Sequence, residues 1–231
     1  MSDDRKAASS EATSPEKSGA GEPSKRGGAS LAQHLLCAVP QLRDPNFVRS
    51  VVLIVDHSHT GAFGIVLNHP LETPIADMAG AIGLQWLGPA DRRVRLGGPV
   101  EPSRGFILHD RPSWDPLAEA LTPELFLTTS LDAVKAGETA TPPLGGPGSQ
   151  ALAFLGYAGW GAGQLEAEMA AGSWMVVPLR PETVERGQGV TPSWLWSSSP
   201  EQMWAEALRS VHIDPARLVG AGPGSGKAPQ A

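Results

Sequence analysis

The apolar residues of this chain come in short runs broken by glycine and proline, and this limits its possible folds more than any other feature. The runs 51-VVLIV-55, 63-FGIVL-67, 105-GFILH-109, 125-LFLTT-129, 151-ALAFLGYA-158 and 174-WMVVPL-179 are strand-sized. Their β-branched and aromatic content favours strand over helix. None approaches the roughly 18 apolar residues of a membrane-spanning helix. The run 51–55 does not alternate with polar residues, so it calls for a strand buried on both faces, with layers on either side of its sheet. Across 231 residues, 27 glycines and 22 prolines supply the turns between such runs.

Helical signals are fewer and shorter. Thr73-Pro74 marks a helix start within 72–86, with Thr73 as cap and Pro74 at the first helical position. Asp115-Pro116 opens a second helix, to about Leu121, and Ser130 caps a third over 131–136. In 164–171, Leu165 and Met169 share one helix face. In 200–211, Met203, Trp204, Ala207, Leu208 and Val211 make an amphipathic stripe, preceded by a Ser199/Gln202 capping box with Pro200 at the first position. The segment 31–42 reads as a strand or as a short helix ending near Pro40. Residues 56–62 read as a hairpin loop, and 97–104 as a turn between strands. These elements do not alternate as strand–helix units. The expected fold is α+β: a single domain with a bent or partly barrel-like mixed sheet surrounded by short helices.

Residues 1–30 hold no Leu, Ile, Val or aromatic side chain, and five acidic residues balance five basic ones. Such a segment cannot repay its ordering entropy by burial, so it reads as a disordered tail. Residues 219–231 read as a second flexible tail, leaving 31–218 as the folded domain. With 18 basic and 24 acidic residues the net charge is −6, which opposes binding to a phosphate backbone. The lone Cys37 excludes an intramolecular disulfide and sits among apolar neighbours, as buried free cysteines do. With no signal-like apolar stretch at the start, the expected location is the cytoplasm.

Two groups of residues are candidates for chemistry. Asp56, His57 and His59 lie in one loop, with Asn68 nearby in sequence, and His109-Asp110 close another strand. If the strand ends meet, imidazoles and carboxylates converge as in a zinc or hydrolytic site. Without a close-spaced ligand motif, turn formation is the simpler reading and no metal is expected. The second group is Gly159, Trp160, Gly161 and Gly163, whose helix-start amides suit an anion. The spacing is neither that of a P-loop nor of a dinucleotide fingerprint, so a tight strand-to-helix turn is again simpler. Ser50, Ser103 and Ser130 lie outside any GxSxG elbow. In 192-PSWLWS-197, Trp194 and Trp196 share one face if the backbone is extended, and then cover the core or form a contact patch. The clearest basic cluster is 92-RRVR-95, strand-like and without a helix-turn-helix pattern.

Four segments carry a family resemblance: 31-LAQHLLCAVPQLRDPNFVRSVVLIVDHSHTGAFGIVLNHPL-71, 96-LGGPVEPSRGFILHD-110, 125-LFLTTSLDAV-134 and 154-FLGYAGWGAGQLEAEMAAGSWMVVP-178. In order and spacing they resemble the AlgH/YqgE family of bacterial proteins. The resemblance implies an α+β domain with a bent sheet. It carries over no catalytic residues, because the family has no agreed activity, although one branch is named for regulation of alginate production. His69 stands where much of the family has Lys or Arg. The expected function is a non-catalytic binding or regulatory domain. It needs no cofactor, acts on a protein or small-molecule partner, and is a monomer or weak oligomer. The alternatives are a small-molecule or metal-dependent hydrolase using His57, His59 and His109, and behind it a direct DNA-binding regulator.

Overall fold

The computed structural model describes residues 30–129, 144–183 and 187–220. Ten strands form one mixed sheet: β1 (His34–Ala38), β2 (Val51–Ser58), β3 (Gly61–Val66), β4 (Pro70–Pro74), β5 (Arg93–Leu96), β6 (Val100–His109), β7 (Glu119–Thr122), β8 (Leu125–Thr128), β9 (Ala151–Gly161) and β10 (Trp174–Pro178). The main order is β10-β1-β2-β3-β9-β6-β8-β7, with the β4–β5 pair attached through a parallel β5–β9 contact. The described helices are α1 (Ile75–Ala81), α2 (Gln164–Ala170), α3 (Pro192–Ser197), α4 (Pro200–Ser210) and α5 (Pro215–Gly220).

The sheet curls without closing. One core cluster joins Cys37, Leu53 and Val177 from one end of the order to Phe106, Leu121 and Leu127 from the other. Only a bent sheet brings those ends to one interior, yet β10 and β7 do not pair. Helix α4 plugs the concave side with Met203, Trp204, Ala207 and Leu208. The convex side is covered in two places. Leu165 of α2 packs on Val52 and Ile54, and α1 sets Ile75 against Val94 and Ala79 against Ile107. The apolar run of β2 is thereby explained: Val51, Leu53 and Val55 face the inner core, while Val52 and Ile54 face the outer one. This is the α+β fold that the pattern of apolar runs implies.

Strand β9 is the spine. Residues Ala158–Gly161 pair with β3, whereas Phe154 and Leu155 pair with β5. The change of neighbour falls at Gly156, whose φ is +73°. A Cβ there would lie 2.4 Å from the Gly98 carbonyl oxygen, and one on Gly98 (φ +149°) would lie 2.2 Å from the Tyr157 carbonyl carbon. Backbone touches backbone, so only glycine fits at either position.

Several local expectations are corrected. Of the two readings open for residues 31–42, the strand holds, as β1. The β2–β3 hairpin turns at His59 and Thr60, because Asp56 and His57 continue the ladder opposite Phe63 and Ala62. Residues 100–104, expected within a turn, open β6. No helix follows Asp115: its carboxylate is buried and accepts from Leu117 N and the Thr128 hydroxyl, and β7 starts at Glu119. Pro74, with extended backbone, is the cap position of α1, and Ile75 is its first residue. Ser199 precedes α4 with Pro200 at the first position, but its side chain makes no cap bond. Trp194 and Trp196 lie on helix α3, not on an extended segment, and pack half-buried against the inner core. The Ser130-capped helix over 131–136 lies outside the described residues, as do 1–29 and 221–231.

Candidate functional site

The ladder separates the predicted polar residues. His57 pairs with Ala62, which pairs with Trp160 near the end of β9, whereas His109 pairs with Ala151 at its start. At a rise of about 3.3 Å per residue, the two histidines stand at ends of the spine roughly 30 Å apart. His59 sits at the hairpin tip. Among the described residues no group of three His, Cys, Asp or Glu side chains is placed to hold a metal ion.

His57, Asn68 and Asp110 each have partners within the protein. His57 Nδ1 accepts from Leu31 N at 2.9 Å, and its Nε2 lies 3.0 Å from Glu166 Oε1. Asn68 accepts from Val51 N and donates to the Arg49 carbonyl, pinning the entry of β2 to the exit of β3. Asp110 accepts from Gln150 N. Asp56 is exposed; burial, and after it the Asp56 charge, raises the Glu119 carboxyl above its ordinary range. In the glycine turn, Gly161 N donates to Gln164 Oε1, Gly163 (φ +74°) starts α2, and the buried Trp160 donates to Glu168 Oε2. The turn is closed by its own side chains.

His109 lies at the centre of a buried chain that spacing alone did not reveal. Arg111 N donates to Nδ1 at 3.2 Å, so Nε2 carries the proton and donates to Thr128 Oγ1 at 3.0 Å. Thr128 in turn donates to Asp115 Oδ2 at 2.9 Å. His109 and Thr128 have no exposure, and Asp115 has 4%. Burial lowers the imidazole to a pKa of about 4, against the opposing pull of Asp115 and Asp110. Every partner is satisfied by the neutral ring, so this chain braces the β6–β8 ends. Cys37 is similarly sealed, its thiol pushed up to about 12 by burial.

The surface best equipped to take a ligand lies elsewhere, at 92-RRVR-95. In β5, Val94 points into the core, so Arg93 and Arg95 take the other face. They line a cleft of about 690 Å³ with Arg92, Trp196, Ser197, Ser198 and Ser199. Backbone carbonyls hold the arginines: Arg92 Nη1 donates to Ala151 O, Arg93 Nη1 to Glu72 O, and Arg95 Nη1 to Leu67 O at 2.6 Å. Among the described residues none of the three forms an ion pair. Arg95 is only 6% exposed, and burial, then Arg92, lowers its pKa to about 10, with Glu201 acting in the opposite sense. The carboxylates of Glu72, Asp91 and Glu201 share the rim, none of them ion-paired with the three guanidinium groups.

A second cleft of about 630 Å³ adjoins the first, and the two share Pro89, Arg92, Trp196 and Ser197. Its other walls are Trp86 and the backbone of Gly145, Gly146 and Gly148. The RRVR cluster was visible in the sequence, but its alternation in a strand was the only signal of a shared face. Nothing in the sequence joined it to Ser197–Ser199, about a hundred residues away in the chain.

Fold and site together define a single α+β domain on a curled mixed sheet, with an arginine-walled cleft beside its last helices. This chain belongs to the AlgH-like family, DUF179, which it matches over residues 35–216. It is 41% identical over 190 residues to a UPF0301 protein of Myxococcus xanthus, covering 82% of this chain and 95% of that one. It is 39% identical over 198 residues to another of Magnetococcus marinus, covering 85% and 97%. The solution structure of AlgH from Pseudomonas aeruginosa superposes with a TM-score of 0.60 at 31% identity, covering 87% of this chain and 98% of that one. A crystal structure of a Corynebacterium diphtheriae protein matches with a TM-score of 0.59 at 22% identity, covering 84% and 93%, and shows the shared fold alone.

Proposed function

We propose that this protein is a non-catalytic, cytoplasmic binding domain that takes an anionic ligand in the arginine-walled cleft and serves a regulatory role through it. One observation carries the reading: Arg92, Arg93 and Arg95 converge on a cleft, held by backbone carbonyls and without a carboxylate partner among the described residues. A guanidinium fork anchored at one nitrogen keeps further donors ready for an oxyanion, at little cost in ordering. No His, Cys or Lys is among the described lining residues, and three arginines dominate its donors, which supports anion binding in the cleft. The lone buried Cys37 suits a reducing compartment. No described helix is long and apolar enough to cross a membrane. The protein works as a monomer or weak oligomer.

Calorimetric titration with inorganic pyrophosphate tests the reading. Saturable binding is expected, weakened roughly tenfold by Arg93→Gln. Phosphorus NMR after long incubation should show the pyrophosphate intact. Absence of binding, equal binding by the variant, or hydrolysis would overturn it.

A further inference from the structure

We infer that the ligand is a nucleotide, with its phosphates at Arg92, Arg93 and Arg95 and its base in the adjoining cleft between Trp86 and Trp196. This rests on the proposal above and adds the ligand class. The two clefts adjoin at Pro89, Arg92, Trp196 and Ser197 and differ in chemistry. One half offers three guanidinium groups and the Ser199 hydroxyl, whereas the Ser197 and Ser198 hydroxyls already donate to the Ser193 carbonyl and Glu206 Oε2. The other offers two half-buried indoles and a glycine backbone, with no acidic or basic side chain except the shared Arg92. Arg92 and Trp196 stand at the junction, where a phosphorylated sugar would join the two halves. Each half falls within the roughly 300–1,000 Å³ of small-molecule sites.

The aromatic wall is preformed. Trp86 Nε1 donates to the Pro89 carbonyl at 3.1 Å. A Cβ on Gly88 or Gly145 would come within 2.3 and 2.7 Å of the indole, so both residues must be glycine for the ring to lie where it does. A flat indole accepts the π-face of any base, so stacking on the indoles, not the Gly146 and Gly148 carbonyls already taken by Ser149 and Arg111, would hold it. Glu72, Asp91 and Glu201 on the rim, with a net charge of −6, repel a long phosphate backbone. A small nucleotide with few phosphates is the anion that satisfies both halves.

The test is a set of titrations of the full chain, read by calorimetry and by quenching of tryptophan fluorescence. The probes are ADP, GDP, CDP and UDP, the matching nucleosides, inorganic pyrophosphate and a short single-stranded RNA. At least one nucleoside diphosphate should bind roughly tenfold more tightly than both its nucleoside and pyrophosphate, with quenching. Arg93→Gln, at an exposed position, should weaken that nucleotide and pyrophosphate alike and leave the nucleoside unchanged. If pyrophosphate binds as tightly as every nucleotide, the anion cleft stands and the nucleotide inference fails. If neither binds, or if Arg93→Gln changes nothing, both fail. RNA binding more tightly than every nucleotide also overturns the inference.

Discussion

At the scale of single residues, His109 shows how burial sets chemistry. The folded chain needs the neutral ring, because Nδ1 accepts from Arg111 N while Nε2 donates to Thr128. Its pKa falls from the ordinary 6.5 to about 4. The unfolded chain therefore binds a proton more readily than the folded one between these values. This contribution to stability is full above about pH 6.5 and is lost as pH falls toward 4, up to about 3 kcal/mol. His109→Gln removes the titration. Urea unfolding should show a wild-type advantage over His109→Gln that shrinks between pH 7 and pH 4.5; an advantage independent of pH would refute the assignment.

At the scale of elements, two glycines with the same backbone sign answer different demands. A Cβ on Gly163 (φ +74°) would meet nothing within 4 Å, whereas a Cβ on Gly156 (φ +73°) would collide with the Gly98 carbonyl. Gly163→Ala should cost about 1 kcal/mol, the conformational term alone. Gly156→Ala adds a backbone clash where β9 changes neighbours, and should cost at least about 3 kcal/mol. Thermal unfolding of the two variants checks this; equal losses would show that the β9 crossover is not held by close backbone approach.

At the scale of the whole molecule, α4 closes the concave core. Trp204 is 6% exposed and its Nε1 donates to the Ala38 carbonyl at 2.8 Å, tying the helix to β1. Trp204→Ala should cost roughly 3–5 kcal/mol. Chemical denaturation measures it, and a loss below about 1 kcal/mol would deny the helix that role. The same helix carries Glu201 and follows Ser199 into the arginine-walled cleft. Core and cleft thus share one element, and ligand binding is expected to raise the unfolding temperature.

Much of this architecture is local in origin and therefore legible in the sequence. The unbroken apolar run Val51–Val55 demanded a strand buried on both sides, and the Met203–Leu208 stripe demanded a helix with one buried face. Both follow from side-chain periodicity, which needs no knowledge of the partner. The sequence also displayed the RRVR cluster, though not its neighbours. Misreadings arose where a side chain's partner lies far along the chain. Asp115 looked like a helix cap, but Thr128 draws its carboxylate into the core. His57 and His109 could share a site only if their strand ends met, and their register places them toward opposite ends of β9. The buried His109 chain and the meeting of Arg92, Arg93 and Arg95 with Ser197–Ser199 were decided only by tertiary structure. Strand register and long-range packing set those distances, and no local pattern encodes them.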